Sequence, residues 1–221
     1  MLFIPPPPVP VIDDAPPPPP PLGLSYLDGK GPSASATTHN FTGVAIGNED
    51  AQIIACVLGW NYVGALDLAS ATIGGVEAEI ERQGDGTNCG LALFWAQTGA
   101  ESPVTIQAVF PANTFNVTLA VYRIVGQSAD APVIASIDPG GGTAVRGIVV
   151  DAPANCAMIA GAVNTGIGPA DGTFTGVGED AELGSPASFR SWSGSRITTD
   201  AEEALTISHS ACRQIVMAGW G

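Results

Sequence analysis

Eleven of the first 21 residues are proline: Pro5, Pro6, Pro7 and Pro8, then Pro10, then Pro16, Pro17, Pro18, Pro19, Pro20 and Pro21. No other feature restricts the backbone so tightly. Proline fixes φ and removes the N–H donor, so this stretch cannot join a helix interior or a central strand. Polyproline II is its default conformation, and at roughly 3.1 Å per residue 21 residues reach about 65 Å. Between the blocks lie Val9 to Ala15, with Asp13 and Asp14, and Gly29 to Ser35 reads as a softer hinge. The chain therefore divides into a proline-rich extended arm and hinge, 1–34, and a folded domain, 35–221.

From about Thr37 the pattern changes to short β-runs. Val76-Glu-Ala-Glu-Ile-Glu81 alternates apolar and acidic residues strictly. Val104 to Phe110 and Phe115 to Val121 behave similarly, and period two predicts half-buried strands. Further candidates are Phe41 to Ile46, Gln52 to Trp60, Leu91 to Trp95, Ala144 to Val150, Cys156 to Val163, Thr173 to Val177, Ala187 to Ser191, Ala204 to Ser208 and Gln214 to Trp220. No window of helical length shows a 3.6 period; the nearest, Thr199 to Leu205, offers one turn. Short strands with turn residues between them predict an all-β fold, an antiparallel β-sandwich of jelly-roll type behind the arm. Phe-Thr-Gly-Val occurs at 41–44 and again at 174–177, but no fixed repeat period appears.

Charge narrows the function classes. Seven basic residues stand against 21 acidic ones, for a net charge of −14, and Lys30 is the single lysine. Such a chain repels nucleic acid and anionic membranes. No apolar run approaches the ~18 residues of a membrane span, and the N-terminus lacks the basic and long apolar regions of a signal peptide. Cys56, Cys89, Cys156 and Cys212 form no C-x-x-C pair. Buried free thiols are the simplest reading, late disulfides the sharper one, and zinc the least favoured.

Candidate chemistry is thin. Glu77, Glu79 and Glu81 would share one face of one strand, a solvated face rather than paired acids across a scissile bond. Ser208-His209-Ser210 invites a nucleophile, yet strand neighbours point to opposite faces, and no G-x-S-x-G elbow exists. His39 falls at the edge of the first strand. Asp28, Glu49, Asp50, Asp67, Asp85, Asp171, Glu179 and Asp180 are loop acids without a D-x-D-x-D-G calcium pattern. Pro139 to Gly142 lacks the Lys-Ser/Thr of a phosphate loop. No catalytic residue, metal or cofactor is expected. Trp95 and Trp192 are the candidate glycan contacts of an alternative reading, a carbohydrate-binding β-sandwich that recognises a host surface glycan.

Phe41-Thr-Gly-Val-Ala-Ile-Gly47, then an apolar strand, then Ala71-Thr-Ile-Gly-Gly-Val-Glu-Ala78, and a close at Val216-Met-Ala-Gly-Trp220 carry a family likeness. This order, over about residues 37–221, resembles the small Gly/Ala-rich β-sandwich virion structural proteins of tailed bacteriophages and phage-like particles. The arm lies outside the likeness, and Gln52 stands where the resemblance would set a basic residue. The resemblance implies a non-catalytic structural role: a capsid decoration, head-fibre or tail-associated protein of the virion, assembled in the host cytoplasm. Its partners would be other virion proteins (capsid, portal or tail), with the eleven prolines as the anchor. It also implies a homo-oligomer, a trimer being one arrangement that fits particle symmetry.

Overall fold

The computed structural model describes residues 21–48, 52–86, 88–99, 102–140, 142–165, 172–185 and 188–221. Pro5 to Pro20 lie outside the described residues; Pro21 is within them. All the regular structure described is β, in sixteen strands with antiparallel pairing, so no helix is long and apolar enough to cross a membrane. The all-β expectation therefore holds.

The first half is organised by one strand. β8 (Val104–Val125) is 22 residues long and joins two stretches that the sequence predicts as separate strands. Its start pairs with β2 (Ala36–Val44) and with β4 (Ser70–Ile73). From Phe115 onward it pairs with β3 (Gln52–Asn61), and from Leu119 also with β1 (Gly23–Lys30). Between these segments stand Pro111, which lacks a donor, and Asn116, with φ 53°. The sheet bends there and curls over itself. β7 (Cys89–Thr98) and β6 (Glu79–Gly86) extend one side, and β5 (Val76–Glu77) the other. Phe41, Ile54, Leu58, Trp60, Phe94 and Ile106 fill the space enclosed.

The second half builds the same arrangement from two sheets. One has the order β13 (Gly178–Ser185), β14 (Phe189–Ile197), β11 (Ala157–Thr165), β16 (Gln214–Trp220), β9 (Ile134–Asp138). The other has the order β10 (Ala144–Ala152), β15 (Glu202–Cys212), β12 (Phe174–Thr175). Ile148, Met158, Ala160, Trp192, Ile207 and Met217 pack between them.

The two halves have equivalent pairing schemes. β3 runs between β7 and β8, as β11 runs between β14 and β16; β6 flanks β7 as β13 flanks β14. β1 flanks the end of β8 as β9 flanks β16, while β2 and β4 flank its start as β10 and β12 flank β15. The sequence predicts one sandwich without a repeat; the structure has two sandwiches of one topology. The repeated Phe-Thr-Gly-Val falls on β2 and at β12, which are not equivalent strands.

The sandwiches stand back to back. Ile53, Ala55 and Val57 of β3 turn away from the first core and meet Ala157, Ile159 and Val163 of β11, with Trp95 and Trp220 at the side. Hence β3, β11 and β16 are buried along their whole length and β7 nearly so. Such strands show no polar alternation because both faces are dry. The closest approach uses glycine. A Cβ on Gly59 would lie 2.8 Å from Val163 Cγ1, and one on Gly161 would overlap Val57 Cγ1. Asn61 pairs with Cys89 at the start of β7, and Thr165 with Phe189 at the start of β14. Counting back from those pairs, Gly59 corresponds to Val163 and Val57 to Gly161. Corresponding positions touch each other, as they do on a two-fold axis.

Two further expectations are corrected. Gly23–Lys30, placed by composition in the arm and hinge, is β1 of the first sheet, so the folded body begins near Leu22 rather than residue 35. Leu22 and Leu24 pack on the middle core, and this burial outweighs the flanking proline and glycine. The alternating 76–81 run is not one strand. Ala78 N–H donates to Ala71 O at 2.9 Å, which ends β5 at a corner, and β6 starts on the other part of the curled sheet.

If the glycine–valine contacts hold the halves together, Gly161→Val destabilises the whole protein by about 1–3 kcal/mol through overpacking. Val57→Ala in the same chain then makes that damage smaller, a coupling readable from urea denaturation of the single and double variants.

Candidate docking site at the root of the arm

Both histidines singled out for chemistry are engaged in structural contacts. His39 is buried and lies within β2 rather than at the edge of the first strand. Its Nδ1 sits 2.6 Å from Ser33 Oγ, and its Nε2 lies 2.8 Å from Thr114 Oγ1 and 3.0 Å from Ala36 O. These contacts tie the end of the hinge to β2 and β8. His209 is fully buried between Trp192, with ring centroids 4.4 Å apart, and Phe174, at 5.0 Å. Its Nδ1 accepts from Ala211 N–H at 3.3 Å, and its Nε2 has no hydrogen-bond partner among the described residues. Ser210 Oγ accepts from Thr173 N–H. The two residues thus serve different contacts and do not form a nucleophile–base pair.

The acids are dispersed. Glu77 stands on β5, while Glu79 and Glu81 stand on β6; Glu81 pairs with Arg82 at 2.9 Å and accepts a 3.5 Å contact from Trp95 Nε1. Asp28 pairs with Lys30 at 2.8 Å, and Asp180 accepts from the buried Tyr122 hydroxyl at 3.0 Å. Among the described residues no three His, Cys, Asp or Glu side chains gather as metal ligands. Glu49, Asp50 and Asp171 lie outside the described residues. All four cysteines are free and buried, and burial pushes the Cys89 thiol up to about 11 and the Cys212 thiol up to about 12. Such thiols are poor nucleophiles at neutral pH.

The candidate glycan contacts are corrected. Trp192 is 1% exposed in the second core and Trp95 9% exposed in the middle core. Trp60 and Trp220 are buried too. No tryptophan offers a face on which a sugar ring could stack. The scatter of aromatics in sequence had a packing cause, which is the commoner one.

A concavity lies at the root of the arm. A cavity of about 660 Å³ is walled by Pro21 and Leu22, Gly126 and Ser128 just after β8, Val133 before β9, Pro153, Ala154 and Asn155 of the β10–β11 turn, Ile197, and Gly221. Local chemistry explains this convergence. Asn155 adopts φ 52°, and its N–H donates to Thr198 O at 2.8 Å, which fixes the turn. Ser128 donates to Gly221 O from both its N–H and its hydroxyl, at 2.6 and 2.8 Å. The lining contains no ionisable side chain; Leu22, Val133, Pro153, Ala154 and Ile197 make it mainly apolar. Such a groove suits an extended, uncharged peptide segment rather than a charged substrate. Sequence reasoning missed the groove because its wall comes from five separated turns and strand ends.

No protein-family model matches the chain, and no curated protein or solved structure matches it either.

His209 gives the fold a defined acid response. Burial without a counter-charge lowers its pKa from 6.5 to about 4. Between these values the unfolded state binds the proton and the folded state does not, so stability falls as the pH falls, and the loss is complete below about 4. The buried His39 shifts in the same direction. The urea midpoint is therefore expected to drop from pH 6.5 towards 5, and to drop less in His209→Phe, which keeps an aromatic ring between Trp192 and Phe174.

Proposed function

We propose that the protein is a non-catalytic structural component of a virion, attached to the particle by its proline-rich N-terminal arm and displaying a rigid double β-sandwich. The observation that carries this reading is the junction of arm and body. Pro21 leads directly into β1, a paired strand of the sheet, and no flexible linker intervenes. A pull on the arm is thereby transmitted along the hydrogen bonds between β1 and β8. A pre-extended proline segment loses little conformational entropy when it docks into a groove of a capsid, portal or tail protein.

The body suits a spacer or decoration role. Its histidines are engaged in packing, its acids are dispersed, and its thiols are buried. The proposed anchor residues remain the eleven prolines from Pro5 to Pro21. The glycan-binding alternative loses its aromatic platform, since Trp95 and Trp192 are both interior.

Co-sedimentation with phage particles stripped of this protein tests the reading. The full chain is expected to pellet with the particles, and a version lacking residues 1–20 to stay in solution while keeping the thermal midpoint of the full chain. Equal pelleting of both would refute the arm as anchor, and absence of binding by both would refute the virion role. Removal of residues 1–34 is a different experiment. It also deletes β1 and strips the middle core of Leu24 and Tyr26, and is expected to lower the thermal midpoint.

A further inference from the structure

Among the described residues, two of the large apolar side chains that stand exposed share one sheet face. Val145 is 71% exposed and Val149 62% exposed, both on β10. β10 alternates, so Val145, Gly147 and Val149 point outward while Ile148 enters the second core. The face continues across the register: Val149 lies beside Thr206, and Gly147 beside Ser208, which in turn adjoins Thr175 of β12. The result is a flat surface with two valine knobs and a gap between them. A Cβ on Gly147 would meet Ser208 Cβ at 3.3 Å, Ile207 O at 3.6 Å and Thr206 Cγ2 at 3.7 Å, all atoms of its own small sheet. Nothing from another layer fills the gap.

We propose that this face is a self-association surface, and that its occupant is the same face of a second copy across a two-fold axis. Two observations support a second copy, and a third sets the strength of the contact. First, the fold already uses this device internally. Val57-x-Gly59 on β3 meets Gly161-x-Val163 on β11, each valine seated on the opposing glycine. Val145-x-Gly147-x-Val149 presents the same knob and hole on an outer sheet, and a two-fold axis places Val149 of each copy over Gly147 of the other.

Second, electrostatics restrict how two copies meet. Each carries a net charge of −14. Contact across a face bearing carboxylates would set like charges against each other. The stretch from Val145 to Val149 carries one charged residue, Arg146, which points to the other side of the strand, 3.7 Å from Asp138 and 3.0 Å from Gly142 O. Asp151 is exposed at one end of the same face, accepting from Ala204 N–H at 2.9 Å, and Glu203 of β15 is exposed at that end too. An antiparallel two-fold arrangement sends the two Asp151 carboxylates to opposite ends.

Third, size sets the strength. The nine residues of β10, eleven of β15 and two of β12, at ~3.3 Å per residue and ~4.8 Å between strands, give at most roughly 350 Å² per copy. The total of roughly 700 Å² falls short of the ~1,200 Å² at which stable interfaces begin. The contact is therefore weak in dilute solution and becomes populated where copies are held close together, as multivalent tethering does.

The proposal is independent of the arm and of the virion reading. Sedimentation velocity on the full chain, from about 10 μM to about 1 mM, reads it directly. The expected result is a monomer at the low end and reversible dimer formation at the high end. Val149→Lys, which adds a charge on an exposed side chain, is expected to abolish the dimer. Gly147→Val, which fills the hole, is expected to weaken it about tenfold or more. Far-UV circular dichroism and the thermal midpoint should stay unchanged in both variants. A monomer at the highest concentration would overturn the proposal. So would association that survives both substitutions, which would place the contact elsewhere on the chain.

Discussion

The back-to-back contact between β3 and β11 is the constraint on which the rest of the structure depends. Two sandwiches of one topology could exist as separate bodies on a linker. Here each inner sheet gives one face to its own sandwich and the other to its counterpart, so four layers share three cores. Inner-sheet residues must then be apolar or small on both faces, which accounts for the Ala- and Gly-rich composition of these strands. Where two faces meet most closely, one partner at each corresponding pair is glycine and the other valine. With corresponding positions opposed, as they are here, a strict homodimer would place identical residues there, either two valines that collide or two glycines that leave a void. Covalent joining of the halves permits the asymmetric pair, which fills the space without strain.

That arrangement also decides where polar groups go. With both faces of the inner sheets dry, the charged residues are confined to strand edges, turns and rims. Arg82, Arg146, Arg190 and Arg196 each pair with a neighbouring acid, at Glu81, Asp138, Glu182 and Glu202 respectively. At such partly exposed rim positions these pairs add little stability, on the order of 0–1 kcal/mol each. On the first sandwich the outer surface carries Asn40 and Gln107, joined by a 2.9 Å hydrogen bond, between Thr38 and Thr72. The second carries the valine and glycine face of β10. The arm root lies at the side where β1 starts and β8 and β16 finish.

Much of this was legible in the sequence, for reasons that differ by segment. The long dry strands β3, β11 and β16 stand out as apolar runs, and β10 and β15 as alternating ones. Five features were hidden. The alternating 76–81 run suggested one strand, because alternation records burial and not which neighbour a strand pairs with; the corner at Ala78 is set by its bond to Ala71. Strand β1 was masked by flanking proline and glycine. The duplication was obscured because the one conspicuous repeated phrase joins inequivalent strands. A better echo was present: Gly75-Val-Glu-Ala-Glu-Ile80 and Gly176-Val-Gly-Glu-Asp-Ala-Glu-Leu183 both lead into the strand beside β7 or β14, but a two-residue insertion breaks its register. The tryptophans showed no sequence difference between a buried ring and a binding platform, and the arm-root groove has no local signature because its lining is brought together only by the closed sheets.

Native-state hydrogen exchange tests the central claim most directly. If the shared middle core holds the two sandwiches as one cooperative unit, the amides of β3, β7, β11 and β16 exchange most slowly, with a common free energy equal to that of global unfolding. The strands of the outer sheets, β2, β4, β10, β12 and β15, then exchange faster through partial openings. Two distinct protection levels, one for each half, would contradict the account, because they would mean that the sandwiches unfold independently and that the glycine–valine contacts between them carry no weight.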